Sequence, residues 1–333
     1  MGINWKNNRS KMVVGIGSAL VDILTHQDDA FLQETGAVKG AMKLVEKQFI
    51  DQTISKTTKV PSIVSGGSAC NTIVGIGRLG GESRFIGKRG DDDMGALFEE
   101  ELIKSNVEPR LFTSSSPTGR VLSIITPDAQ RSMFTYLGAS AEILPEELEA
   151  ECFVDAAVVH VEGYLLFNPD LITRSLEAAK NAGAVISLDL ASFTIVEESK
   201  ELLEKLTYDF VDILIANEDE ARVFTGYADE MDAIKALSEK AEISVLKVGK
   251  RGSFISMKGE IIDVDPKGTG EAVDTTGAGD LWASGFLFGL VNGYPIEKCG
   301  ELGSSCGHEV CQVIGANIPE HVWAGIRKKI DMF

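Results

Sequence analysis

The sequence predicts an α/β protein: a mostly parallel central sheet flanked by helices, carrying a small β-sheet lid. Two observations predict it. Short runs rich in Val and Ile, at 13–16, 158–161, 185–188, 213–215 and 245–248, alternate with amphipathic stretches such as 169–182 and 230–241, the pattern of right-handed β-α-β units. The early chain departs from it. Segments near 22–25, 41–45, 60–65, 119–126 and 133–137 read as strands with no helix of ordinary length between them, and Pro127, Asp128, Ala129 and Gln130 suit a tight turn joining the last two. Linker-like composition is absent, so the lid is expected as an insertion.

The chain has 333 residues, 44% of them hydrophobic, enough for one large core with an embellishment. A formal charge of −18 disfavours nucleic acid and anionic membrane surfaces, so any phosphate must be held by local groups. Five cysteines, odd in number and scattered, suggest a reducing, cytoplasmic setting. The first eleven residues are polar and basic without an apolar core, unlike a secretory leader, and the apolar stretch at 281–291 is too short and glycine-rich to cross a bilayer.

The strongest chemical signal is Asp274-Thr275-Thr276-Gly277-Ala278-Gly279-Asp280, which runs into an apolar helical stretch. Small residues let consecutive backbone N–H groups converge, and the positive end of the following helix adds to them, so the turn can hold an oxyanion. Asp280, one step beyond, can accept the proton of an attacking hydroxyl. A glycine-rich turn capped by Asp280 is the plainer alternative. Asn217-Glu218-Asp219-Glu220 follows an apolar strand; its spacing puts Asn217 and Glu220 on one side of a first helical turn, where they could hold a hydrated Mg²⁺ or form a capping box. Gly249-Lys250-Arg251-Gly252 joins two apolar runs as a short turn.

Residues 274–280 resemble the C-terminal signature of the ribokinase family, the carbohydrate kinases also called the PfkB family, and Gly66-Gly67-Ser68-Ala69-Cys70-Asn71-Thr72 resembles its N-terminal signature. The similarity extends from about Met12 to Pro319 and implies a ribokinase-like fold. The implied large domain comprises 1–17, 47–57, 66–116 and 139–333, and the lid 18–46, 58–65 and 117–138. The resemblance makes Asp280 the base and Gly277, Ala278 and Gly279 the anion hole. It places Asn217 and Glu220 near Mg²⁺ and the phosphates of ATP, and Gly249, Gly252, Thr275 and Thr276 beside the nucleotide. Asp274, Thr276 and Gly315, with Val310 and Val313, correspond to positions around an activating monovalent cation, K⁺.

Within the family the resemblance is strongest to the adenosine kinases, the bacterial forms above all. It implies that Asp22 takes the ribose hydroxyls, with Gly66, Gly67 and Asn71 at the sugar, and that Leu20, Leu137, Ala139, Leu165 and Phe193, with Tyr164 beside them, wall in the base. Arg120 and Arg131, on the hairpin, could meet substrate or phosphates. Ser18 departs from the usual Asn, which bears on base selectivity. The implied partners are small molecules, a nucleoside or sugar and ATP, with the chain a monomer or a lid-paired homodimer.

Rival readings have less support. Gly15 and Gly17 begin a dinucleotide fingerprint that fails at Leu20, and no phosphate loop of the G-x-x-x-x-G-K-[ST] type occurs. Cys299, Cys306, His308 and Cys311 fall in one helical stretch without paired knuckles, which suits packed thiols better than zinc. A kinase for a free sugar, such as ribose or fructose, or for another nucleoside remains the alternative among enzymes, and a catalytically silent nucleoside-binding protein outside them.

Overall fold

The computed structural model describes residues 10–39, 42–128, 130–268 and 270–330. In chain order the strands are β1 (Met12–Ile16), β2 (Leu20–His26), β3 (Met42–Leu44), β4 (Ser62–Gly66), β5 (Ser83–Gly90), β6 (Glu108–Ser114), β7 (Gly119–Ile125), β8 (Arg131–Tyr136), β9 (Ala156–Glu162), β10 (Val185–Asp189), β11 (Ile213–Asn217), β12 (Ile243–Lys247), β13 (Ser253–Met257) and β14 (Glu260–Val264). The α-helices are α1 (Asp29–Glu34), α2 (Lys47–Ser55), α3 (Ser68–Leu79), α4 (Asp93–Lys104), α5 (Pro169–Asn181), α6 (Phe193–Glu198), α7 (Lys200–Phe210), α8 (Glu218–Thr225), α9 (Glu230–Ser238), α10 (Ala278–Val291), α11 (Ile296–Val310) and α12 (Glu320–Ile330).

Among the described residues the large sheet has the order β14-β13-β12-β11-β10-β9-β1-β5-β6. Its pairs are parallel from β12 through to β6, and β13 and β14 close one side as antiparallel strands. Strands buried on both faces need apolar side chains on both, which is why β1, β9, β10 and β11 read as continuous apolar runs. One face packs against α5 to α9 through Leu171, Ile195, Leu206, Phe224 and Ile234. The other packs against α3, α4, α10, α11 and α12 through Ile73, Phe98, Phe286, Cys306 and Trp323. Helix α10 is apolar nearly all round and buried from Leu281 to Leu290, so its N-terminus is delivered from inside the core.

From β1 the chain goes to β5 and β6 on one side, then to β9 and its successors on the other. The strand order therefore reverses beside β1, and α/β proteins bind ligands at the carboxyl ends of strands at such a point.

The second sheet has the order β3-β8-β7-β2-β4. Its register puts Asp22 opposite Val64 and Val121. The structure differs from the sequence reading in two respects. Helices of ordinary length, α3 and α4, do fall between β4 and β7, and α2, expected with the large domain as part of 47–57, packs on the small sheet. Its Ile50 is buried with Ile23, Leu32, Leu122, Ile124 and Phe134, and the rings of Phe49 and Phe134 lie 4.8 Å apart. The apolar face of α2 was legible; its partner was not, because an amphipathic pattern does not say which sheet it covers. Of the expected segments, Ala41, Ala129 and residues 1–9 lie outside the described residues.

Candidate active site

At the switch point a cleft of about 610 Å³ lies between the carboxyl ends of the large sheet and the small sheet. Its floor includes Thr275, Thr276, Gly277, Ala278, Gly279 and Asp280, and its opposite wall includes Leu20, Met42, Leu44, Val121, Met133 and Leu137. Gly277 has φ 72°, a left-handed conformation costly for a residue with a Cβ, and it starts α10 so that Ala278, Gly279 and Asp280 form the first turn. The backbone N–H groups of such a first turn have no partner within the helix.

Asp280 accepts hydrogen bonds from Ser68 Oγ and Asn71 Nδ2, each at 2.8 Å. The motif at 66–72 thus opens α3 directly against the motif at 274–280. Burial pushes Asp280 up to about 6, against the lowering effect of Asn71. A base titrating there is largely ionised at neutral pH yet not far from it, which suits proton abstraction.

Asp22 reaches the same cleft from β2. Gly66 makes room for it: a Cβ there would stand 2.5 Å from the carboxyl carbon of Asp22. Burial raises Asp22 to about 7, with Arg131 opposing the shift. Three residues absent from the sequence reading complete the floor. Glu162, last in β9, accepts from the backbone N–H of Ser18 at 2.8 Å and of Ala69 at 2.9 Å, so one carboxylate fixes the exit of β1 and the start of α3. Burial pushes it up to about 7. Asp189 ends β10 and Lys247 ends β12; they pair at 2.8 Å. Burial alone would lower Lys247, but Asp189, Glu220 and Asp280 hold it above the ordinary lysine value.

Asn217 and Glu220 form a complete capping box at the start of α8. Glu220 N–H donates to Asn217 Oδ1 at 2.9 Å, while the Glu220 carboxylate accepts from Asn217 N at 2.8 Å and Nδ2 at 2.7 Å. Both residues also line the cleft, so the capping box is formed at the edge of the cavity. Burial raises Glu220.

Of the other residues singled out, Gly67, Tyr164 and Leu165 line the cleft. Ala139 does not; it is fully buried behind Ser140 and Ala141. Phe193 is a correction: it begins α6, is 50% exposed and lies off the cleft, because α6 turns Ile195 and Val196 inward instead. Phe167, two residues after Leu165, takes an aromatic place in the lining. Gly249 and Gly252 shape the turn from β12 to β13 and do not line the cleft, and Arg251 is engaged by Glu218 and Glu230. Asp274 sits below the floor, where its carboxylate accepts from Thr276 N at 2.9 Å, Thr276 Oγ1 at 2.6 Å and Gly315 N at 2.8 Å. On the hairpin, Arg131 lines the cleft, whereas Arg120 is drawn toward Asp51 and Asp92.

The residues missed share a weak signal. Glu162, Asp189 and Lys247 each put a charge on the last position of a mostly apolar strand.

Comparison with known proteins bears on the family and the fold. The model of the pfkB family of carbohydrate kinases matches residues 37–323. The crystal structure of adenosine kinase from Sinorhizobium meliloti superimposes with a TM-score of 0.87 at 32% identity, covering 95% of this chain and 98% of that one. A probable sugar kinase from Rhizobium etli CFN 42 gives a TM-score of 0.89 at 32% identity, covering 97% of this chain and 100% of that one. A 5-dehydro-2-deoxygluconokinase from Geobacillus thermodenitrificans is 29% identical over 77% of this chain and 79% of its own length.

Proposed function

The chain belongs to the pfkB family of carbohydrate kinases, and from that premise we propose that it transfers the γ-phosphate of ATP to the 5′-hydroxyl of a nucleoside, with adenosine as the preferred acceptor. The phosphotransferase class follows from the family. The acceptor reading rests on one observation: the wall facing Asp280 across the cleft is built from Leu20, Met42, Leu44, Val121, Met133 and Leu137. A free sugar presents hydroxyls on every side and gains little from such a wall, whereas a purine has two apolar faces to bury. The likeness to the Sinorhizobium meliloti adenosine kinase supports the same choice.

In this reading Asp22 accepts hydrogen bonds from the ribose hydroxyls, and the close approach allowed by Gly66 and Gly67 seats the sugar. Asp280 takes the proton of the 5′-hydroxyl as it attacks the γ-phosphorus, and the N–H groups at the start of α10 receive the charge on the transferring group. Asn71 and Ser68 hold Asp280 in line. The small sheet over the acceptor excludes water, which protects ATP from hydrolysis.

Mg²⁺ fits the donor set of Asn217 and Glu220. These groups offer hard oxygens, and because Glu220 already accepts two hydrogen bonds from Asn217, contact through the ion's own water suits them. Held by these residues with ATP, the ion would offset the charge of the donor's phosphates. K⁺ activation is assigned to the region where Asp274 ties Thr276 to Gly315. It is tested by replacing K⁺ with a bulky organic cation at fixed ionic strength; unchanged rates rule it out. The outer edges of β3 and β4 suit pairing with a second lid, and sedimentation velocity separates monomer from lid-paired dimer.

The curated relatives favour a second reading, a kinase for a free sugar or sugar acid, since they include 5-dehydro-2-deoxygluconokinase and the fructokinase of Escherichia coli. An ADP-release assay with Mg-ATP across adenosine, inosine, guanosine, cytidine, ribose and fructose decides between them. Preference for adenosine is expected; a large preference for a free sugar overturns the acceptor assignment and leaves the kinase class standing.

A further inference from the structure

The cleft is rich in acids, and the donor brings more negative charge into it. Asp22, Glu162, Asp189, Glu220 and Asp280 all line it, and among the described lining residues Arg131 and Lys247 are the two basic side chains. Arg131 belongs to the small sheet, on the acceptor side, where it offsets Asp22. Lys247 stands at the other end. A Cβ placed on Gly279 would lie 2.9 Å from Lys247 Nζ, so the ammonium sits against the second residue of α10, beside the oxyanion nest. Along the sheet, Lys247 is paired in register with Asn217. Its side chain reaches past β11 to Asp189 on β10, which it meets at 2.8 Å. The cation is thereby placed between the Asn217 and Glu220 box and the start of α10.

An ammonium has three N–H donors. One goes to Asp189, and 14% of the Lys247 side-chain surface remains open. Gly279 is what permits this placement, since any larger residue there would compete with the ammonium for space. Strand ends buried this deeply seldom carry an ammonium unless something specific holds it.

We infer that Lys247 is a catalytic residue whose ammonium, aimed by Asp189 at the mouth of the nest, hydrogen-bonds the non-bridging oxygens of the phosphoryl group in transit. The inference deepens the phosphotransfer reading above and rests on it. In the step, the acceptor oxygen forms its bond to the γ-phosphorus as that phosphorus breaks from the bridging oxygen, whose electron pair stays on ADP. The acceptor proton passes to Asp280. Lys247 keeps its own proton throughout and stabilises charge only; Asp189 is a positioning residue.

The test compares wild type with Lys247→Met and Lys247→Arg, and with Lys247→Gln should the Met variant fail to fold. Turnover is measured with Mg-ATP, and calorimetry measures binding of AMP-PNP, AMP and adenosine. The expected result is a loss of about 10²–10³-fold in kcat for Lys247→Met. AMP-PNP should bind at least about tenfold more weakly, with AMP and adenosine within about twofold, because a contact to the terminal phosphate is missing from AMP. Lys247→Arg should recover part of kcat, since it keeps the charge but changes its reach. Two outcomes overturn the inference: kcat within about threefold of wild type, or a uniform weakening of all three ligands with a lowered Tm, which marks a purely structural lysine. If the wild type turns over no acceptor offered, the reaction reading falls, and the AMP-PNP contrast with AMP still decides the role of Lys247.

Discussion

The two walls of the cleft are built on opposite principles. The floor, at the carboxyl ends of β9 to β12 and the start of α10, crowds ionisable groups into a desolvated space and ties them to one another: Asp280 to Ser68 and Asn71, Glu162 to Ser18 and Ala69, Lys247 to Asp189. The roof is a thin sheet with a small core of its own, and it presents Met42, Leu44, Val121, Met133 and Leu137 to the cleft. A network of directional bonds fixes atoms to within tenths of an ångström, which chemistry needs; apolar contacts tolerate reshaping, which acceptor choice exploits. The floor is therefore expected to respond to substitution with large losses of turnover, and the roof with changes of preference.

The largest effect should come from Asp280. Asp280→Ala is expected to lower kcat by about 10³–10⁴-fold while ATP and adenosine still bind; turnover near normal in a stopped assay would remove the base and with it the distinction between the walls. On the roof, Leu137→Asn should raise KM for adenosine by about tenfold or more and act far less on kcat, since it removes apolar contact made equally before and during the reaction. A drop in kcat as large as that of the floor variant would erase the contrast.

A smaller effect is expected from pH. In the proposed reaction both acids act ionised, and burial raises Asp22 to about 7 and Asp280 to about 6. The profile of kcat/KM against pH should thus fall in two stages on acidification, and Asp22→Asn should abolish the upper one. A single break in wild type speaks against separate roles for the two carboxylates.

The smallest effect is on stability. The Asp22 carboxyl titrates higher folded than its ordinary 3.8, so the folded chain holds that proton more tightly than the unfolded chain. Ionising it therefore costs stability, progressively from about pH 4 and fully above about pH 7. Asp22→Asn should raise Tm by about 2 °C at pH 8 and lose that advantage near pH 4. Thermal melts at the two pH values check the sign, and destabilisation at pH 8 would show that Asp22 supports the fold.

The floor and roof also differed in how far they could be read from the sequence. The alternation of Val- and Ile-rich runs gave the large sheet, and the turn at 274–280 gave the start of α10 with Asp280 in its first turn, because each is encoded by contiguous residues. Asp189 and Lys247 were not read, since each is one charge on a separate strand and only the parallel register brings them to one rim. Glu162 was missed for the same reason. The roof was legible as strands, yet α2 was assigned to the wrong sheet and Phe193 to the wrong surface. Periodicity shows that a residue is buried or that a helix has an apolar face; it does not name what lies across from it.

Asp280 is held by two donors of different kinds, and in the proposed reaction that difference decides how the carboxyl accommodates the proton it takes. The amide of Asn71 can only give a proton, whereas the hydroxyl of Ser68 can turn and receive one. When the proton from the acceptor arrives on Oδ1, the oxygen facing Ser68, the serine can reverse its direction while the asparagine holds Oδ2 in place. The protonated carboxyl thus keeps both partners with no displacement of either helix, and it becomes a base again when that proton passes to solvent as the products leave.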